Sequence, residues 1–200
     1  MYISIIMPDI SEIKNALRKR FAEERANLSF DDMNQKSEEI LNYLSSLPEY
    51  NDSATIYTFI GSLPGEIQTI MLAARALSED KAIIVPVYHG NEAPPSHSIL
   101  RSINALEFSP FGIMQPSPQN DIPVPISDSD LIIAPCLAAD RDGNRLGMGS
   151  GFYDKILTEV DVPVIVIAYD FQIVKNLPTE SHDMKFDILI TELGVKRVSE

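Results

Sequence analysis

The sequence predicts an α/β domain in which a mostly parallel or mixed sheet of about six strands is covered by helices on both faces. Short runs rich in Ile, Val and Ala near residues 55, 83, 100, 132, 165 and 189 read as strands. Segments with helical spacing of apolar residues separate most of them, an alternation that builds a sheet by crossover connections. Runs such as Leu131-Ile132-Ile133-Ala134 are apolar at consecutive positions, as strands buried on both faces are.

In chain order, residues 1–7 (MYISIIM) are apolar but short and carry no basic flank, so they are not read as an export signal. From Ser11 to Leu28, Ile13, Leu17, Phe21 and Leu28 recur at helical spacing, with Lys14, Arg18, Lys19, Arg20 and Arg25 between them. Lys14 and Arg18 share one face, which by itself reads as a solvated flank. Ser29 is read as the N-cap of a second helix, with Asp31 and Asp32 in its first turn, Ile40, Leu41 and Leu44 inward, and Pro48 beyond its end. Ala54–Ile60 reads as a strand, and Gly61-Ser62-Leu63-Pro64-Gly65 as a turn into a helix from Glu66 to Leu77. That places Glu66 in a helical first turn at a strand's carboxyl edge, where open α/β sheets bind ligands; without a ligand, its charge would still favour the helix dipole.

Lys81–Tyr88 gives the next strand, and residues 89–128 hold many of the prolines and a strand near Ile99–Ile103. The rest of that segment reads as an ordered loop, because Phe108, Phe111, Ile113 and Met114 are too apolar for a free linker. After the strand at Leu131–Ala134 come a helix over 152–159 and strands at Val162–Ala168 and Ile188–Thr191.

Two hundred residues with 44% hydrophobic content suit a single domain over residues 1–200. A formal charge of −13 argues against nucleic acid or an anionic membrane surface as partner. No apolar stretch reaches membrane-spanning length, and a cytoplasmic monomer is expected. The single cysteine, Cys136, precludes an internal disulfide framework and reads as a small core residue beside a buried strand. His89, His97 and His182 lack zinc-site spacing.

The chemistry concentrates in Asp130–Lys155, DLIIAPCLAADRDGNRLGMGSGFYDK. A buried strand ends at Pro135, a charged turn runs from Asp140 to Arg145, and Gly147, Gly149 and Gly151 alternate with Met148 and Ser150 before Phe152 opens a helix. Such glycines let main-chain N–H groups approach a phosphate. The spacing is neither the dinucleotide fingerprint nor a P-loop. Arg145, expected on a solvent-facing turn, supplies a cationic fork, and Asp154 a hard oxygen ligand for Mg²⁺.

Pro135, Asp140, Gly143 and the run Asn144-Arg145-Leu146-Gly147-x-Gly149-x-Gly151-Phe152-Tyr153-Asp154 resemble the signature of the 5-formyltetrahydrofolate cyclo-ligase family. Cys136, Ala139 and Lys155 depart from that family's usual Gly, Phe and Arg. Lys14-Asn15-Ala16-Leu17-Arg18, Glu66-Ile67-x-Thr69, Phe111-Gly112-Ile113-x-x-Pro116 and His182-Asp183 also resemble family segments, so the likeness spans nearly the whole chain.

The resemblance implies a three-layer, Rossmann-like α/β/α sandwich and ATP-dependent closure of 5-formyltetrahydrofolate, polyglutamylated or not, to 5,10-methenyltetrahydrofolate. It further implies that Lys14, Arg18 and residues Asn144, Arg145, Leu146, Gly147, Met148, Gly149, Ser150, Gly151, Phe152 and Tyr153 bind ATP, with Arg145 and Tyr153 catalytic. Gly61, Glu66 and Phe111 would contact the folate, and Asp154 and Asp183 would hold Mg²⁺. Phe111 is equally readable as a core aromatic. Two other classes are compatible with the residues alone: a folate- or nucleotide-binding regulator without turnover, and a sugar-phosphate isomerase or CoA-transferase-like enzyme on a similar sheet.

Overall fold

A computed structural model describes residues 9–90 and 93–198; the apolar start at 1–7 lies outside the described residues. Helices α1 (Ile10–Ala26), α2 (Phe30–Ser45) and the short α3 (Pro48–Asp52) precede strand β1 (Thr55–Tyr57). Then follow α4 (Ile70–Ser78), β2 (Ala82–Val87), β3 (Ser96–Leu100), the hairpin β4 (Leu106–Phe108) and β5 (Met114–Pro116), and β6 (Leu131–Pro135). A small ribbon of β7 (Ala138–Ala139) and β8 (Arg145–Leu146) leads to α5 (Phe152–Leu157), β9 (Val164–Ile167), β10 (Ile188–Thr191) and β11 (Gly194–Arg197).

The main sheet has seven strands in the order β11-β10-β9-β6-β1-β2-β3. The five inner strands run parallel, while β3 and β11 are antiparallel edges. The seventh strand, β11, was not expected from the sequence: Gly194-Val195-Lys196-Arg197 is largely exposed and offers no apolar run to announce it. Successive side chains of a strand point to opposite faces, and both faces are buried. On one face Ile56, Ile83, Ile133 and Ile165 pack with Ile40 and Leu44 of α2 and Leu72 and Ala76 of α4. On the other, Tyr57, Ile84, Ile132 and Val164 pack with Ile156 and Leu157 of α5. A third cluster seats Phe21 of α1 against Leu137, Ala138 and Leu146. Helices on both faces thus give the three-layer arrangement.

From β1 the chain proceeds to β2 on one side, and from β6 to β9 and β10 on the other. Neighbouring parallel strands whose connections depart in opposite directions leave a crevice at their carboxyl ends. Here that crevice opens between β1 and β6.

Two local expectations are corrected. The helix expected from Glu66 begins at Ile70. Glu66 Oε2 instead accepts the N–H groups of Ser62 and Leu63, both at 2.9 Å, so its carboxylate closes the preceding turn and not a helix start. The segment expected as loop after β3 contains the β4–β5 hairpin. Met114 N–H donates to Ser62 Oγ at 2.9 Å, tying that hairpin to the turn after β1.

Candidate active site

The crevice is a cleft of about 350 Å³. One wall is α1, through Lys14, Arg18 and Arg25; the opposite wall is the segment from Arg145 to Asp154. Phe59, Ile60 and Glu66 follow β1, Tyr88 follows β2, and Pro135, Cys136 and Leu137 lie at the end of β6. Ile113 and Met114 come from the β4–β5 hairpin, and Glu180, His182 and Asp183 from the stretch before β10.

The turn that presents Arg145 is organised by a buried carboxylate. Asp140 Oδ1 accepts the N–H groups of Asp142 and Asn144 at 3.0 Å, while its Oδ2 accepts Leu177 N–H at 2.9 Å. The Asn144 amide also donates to Asp140, so Asn144 shapes the turn and does not face the cleft. Gly143, at φ +87°, completes it in a conformation that side chains disfavour.

Arg145 is not solvent-facing as expected: its side chain is 3% exposed. The reason is its pairing with Asp154 Oδ1 at 3.0 Å and its position 5.8 Å from the Tyr153 ring centroid. Its Nε and the Tyr153 hydroxyl are both buried without a hydrogen-bond partner among the described residues. Leaving such atoms unpaired costs about 1–3 kcal/mol each, so the two are natural contacts for an acceptor entering the cleft. Burial, with Tyr57, Tyr88 and Glu66 nearby, pushes the Tyr153 hydroxyl far above its ordinary pKa, against the pull of Arg145, and it remains a neutral donor. Tyr88 is likewise raised to about 12 by burial and by Glu66.

The glycine run folds back over α1. Arg18 Nε donates to Gly147 O at 3.0 Å, and a Cβ on Gly149, at φ +101°, would lie 3.3 Å from Arg18 Cζ. Gly147, Met148, Gly149, Ser150 and Gly151 all border the cleft, and Met148 is 61% exposed. Leu146 and Phe152 flank them, the latter stacked at a tilt on Tyr88 with centroids 5.8 Å apart.

Lys14, expected on a basic flank, is buried, and its Nζ reaches Asp183 Oδ2 at 2.6 Å and Glu180 Oε2 at 2.8 Å. Burial draws the ammonium pKa down, but the bonds to both carboxylates outweigh it and leave a net rise. Burial likewise raises the Asp183 carboxyl, and the Lys14 and Glu180 N–H bonds more than reverse it. Glu180, His182 and Asp183 hold their ligand atoms within 4.8 Å of one another.

The two expected metal ligands are engaged at one oxygen each. Asp154 Oδ1 serves Arg145 and Met184 N–H, and Asp183 Oδ2 serves Lys14 and Glu180 N–H. Their other oxygens accept no hydrogen bond among the described residues. Oxygen donors on the cleft wall beside cations fit Mg²⁺ that arrives on a nucleotide, because Mg²⁺ takes one or two carboxylates and completes its shell with phosphate and water.

Besides Asn144, two sequence candidates stand apart from the cleft wall. Phe111 is 55% exposed and lies over Gly90, where a Cβ would come within 2.3 Å of its ring. Gly61 N–H donates to Thr69 Oγ1 at 2.9 Å, and a Cβ there would meet Ile67 O at 2.1 Å, so this glycine permits a close backbone approach. Arg25, Tyr88 and Glu180 line the cleft without having been singled out. Tyr88 directly follows a strand end, the same signal that drew attention to Glu66; Arg25 shares by helical spacing the face of Lys14 and Arg18, and Glu180 carried no signal.

Cys136 is buried at the cleft floor, and burial pushes its thiol up to about 12, so it is no nucleophile at neutral pH. No helix among the described residues is long and apolar enough to cross a membrane.

Comparison with known proteins finds relatives along nearly the whole chain. The model of the 5-formyltetrahydrofolate cyclo-ligase family matches residues 10–192. A 5-formyltetrahydrofolate cyclo-ligase of Haemophilus influenzae is 32% identical over 187 residues, covering 88% of this chain and 97% of its own. That of Mycolicibacterium smegmatis is 29% identical over 189 residues, covering 89% and 93%. The structure of Aquifex aeolicus 5,10-methenyltetrahydrofolate synthetase superposes with a TM-score of 0.81 at 34% identity, covering 94% of each chain.

Proposed function

The chain belongs to the 5-formyltetrahydrofolate cyclo-ligase family, and from that premise we propose how its cleft divides the labour of the family reaction. The enzyme is a ligase that uses ATP to close 5-formyltetrahydrofolate to 5,10-methenyltetrahydrofolate, releasing ADP and phosphate. The regulator and isomerase readings are not favoured by this membership.

Ring closure requires the formyl oxygen to leave, and as oxide or hydroxide it is a very poor leaving group. Transfer of the ATP γ-phosphoryl to that oxygen turns it into a phosphate ester. N10 then attacks the activated carbon, its proton is lost, and phosphate departs with the C–O electron pair. Little covalent work falls to the protein; it holds two anionic substrates in line and neutralises charge.

The Arg145–Tyr153 pair carries this reading. Their unpaired buried donors, one cationic and one neutral, suit an oxygen that gains negative charge during phosphoryl transfer. Lys14, Arg18 and the amides from Gly147 to Gly151 suit the ATP phosphates, with Lys14 exchanging Glu180 and Asp183 for phosphate oxygens. Glu66 suits the N–H donors of the pterin ring. Ile113, Met114 and Tyr88 offer apolar and aromatic surface to the folate, a better placed set than Phe111. Asp154 and Asp183 are the residues that would hold Mg²⁺, which supplies charge neutralisation on the phosphates.

A spectrophotometric assay for the methenyl product, run with and without ATP and Mg²⁺, tests the reading. ATP-dependent product formation that Arg145→Met abolishes in a folded protein is expected. Product formation without ATP, or unaffected by that substitution, overturns the assignment.

A further inference from the structure

Arg25 is a buried cation that the assignments above leave without a task. It lies eleven residues after Lys14 and seven after Arg18, close to whole numbers of turns, so all three share the cleft-facing side of α1. At about 1.5 Å per residue, Arg25 stands roughly 16 Å from Lys14 along the axis, at the other end of the cleft. There its side chain is 7% exposed. It lines the cleft and also a cavity of about 10 Å³ behind it, room for about one water, bounded in addition by Glu66, Phe59 and Cys136.

A guanidinium has five N–H donors. Arg25 places Nε on Pro64 O at 3.2 Å and Nη1 at 3.5 Å from Glu66 Oε1. The contact with Glu66 is an ion pair, and the bond to Pro64 O is the one hydrogen bond of this side chain among the described residues. The donors left over are not among the sealed, unpaired polar atoms of the interior; Arg25 borders the cleft, so they are open to an acceptor entering there. Glu66, by contrast, has Oε2 fully committed to Ser62 and Leu63 N–H, leaving Oε1 beside Arg25 as its open acceptor. The backbone enforces the same juxtaposition. Gly65, at φ +69°, lets the turn press so closely on α1 that a Cβ would lie 1.9 Å from Arg25 O.

The cleft therefore ends in an acceptor and a donor side by side, both held rigidly. We propose that Arg25 is a specificity-determining residue for the pterin: with Glu66 accepting the ring N–H, the Arg25 guanidinium donates to the adjacent C4 carbonyl oxygen, so the pair reads the cyclic amide edge of the ring. This rests on the placement of the pterin at Glu66. It predicts discrimination against a ring bearing an amino group in place of that carbonyl, since a donor would then face a cation.

The test compares Kd values, by calorimetry, of 5-formyltetrahydrofolate and its 4-amino-4-deoxy analogue for the wild type, Arg25→Gln and Arg25→Lys, with melting temperatures and the KM for ATP alongside. In Arg25→Gln, affinity for the 4-oxo compound falls about tenfold or more, while affinity for the analogue changes by less than about twofold and the KM for ATP stays within about twofold. Arg25→Lys keeps the charge without the fork and restores part of the preference; it also gives the readout should the Gln variant not fold. Equal losses for both compounds identify a merely structural residue, and unchanged discrimination removes Arg25 from the pterin site; either overturns the proposal. Failure of the underlying placement is read separately: Glu66→Gln would then bind both compounds as the wild type does.

Discussion

Arg145 and Asp154, nine residues apart, form a part-buried ion pair at 3.0 Å across the glycine run. The pair closes the loop that borders the cleft, so the residue expected to act on ATP is also a support of the loop. Arg145→Ala is therefore no clean probe, since it strands a carboxylate and opens a cavity. A loss of about 1–3 kcal/mol in chemical denaturation is expected, together with a loss of turnover of about a hundredfold or more. Arg145→Lys keeps the charge but not the fork; it should recover most of the stability and little of the turnover. Full activity in the Lys variant would mean that only charge matters.

Asp154→Asn retains an oxygen that can accept from Arg145 and from Met184 N–H. Stability should fall by no more than about 1 kcal/mol. If Asp154 holds Mg²⁺ as proposed, removing its charge should lower turnover sharply and raise the Mg²⁺ concentration needed for half-maximal rate. A variant that melts early but turns over normally at the same Mg²⁺ would leave Asp154 a structural partner of Arg145 only.

The Lys14–Asp183 contact makes a pH-dependent contribution to stability. The folded pKa of Asp183 is lowered below its ordinary 3.8, so its contribution is present above that value and is lost as pH falls through the folded pKa. The folded pKa of Lys14 is raised above 10.5, so its contribution is complete below that value and is lost as pH rises through the folded pKa. Urea unfolding of the wild type and Asp183→Asn should differ by a constant amount across neutral pH, and the gap should close in strong acid. A gap that persists unchanged below the folded pKa of Asp183 would assign the effect to its hydrogen bonds alone.

Cys136 should resist alkylation by iodoacetamide at neutral pH, because its thiol is buried and held protonated. Cys136→Ala should retain turnover, with a cost of about 1 kcal/mol for the small void. Inactivation without unfolding would give the thiol a part in the reaction that phosphoryl transfer and ring closure do not require.

The strand runs near 83, 132, 165 and 189 were legible because a parallel strand buried on both faces is apolar at nearly every position, and the one near 55 by its β-branched and aromatic residues, both local properties of the chain. The same holds for the α2 start, where Ser29 Oγ accepts Asp32 N–H at 3.1 Å, a contact made within one turn. The turn from Asp140 through the glycine run could be located for a related reason, since its conformations demand glycine at positions such as Gly143 and Gly149. What could not be read locally was the state of the charges. Lys14 and Arg25 look like the solvated flank of an amphipathic helix until α1 is laid against residues 180–183 and 64–66, which bury both. Arg145 looks exposed until Asp154 and Tyr153 close over it. Glu66 reads as a helix start by its neighbours, yet the N–H groups of Ser62 and Leu63 take its carboxylate into the preceding turn. Apolar periodicity is dictated by which face a residue presents, and that is written along the chain. The burial of a charge depends on a partner brought from a distant segment, and only the tertiary structure decides it.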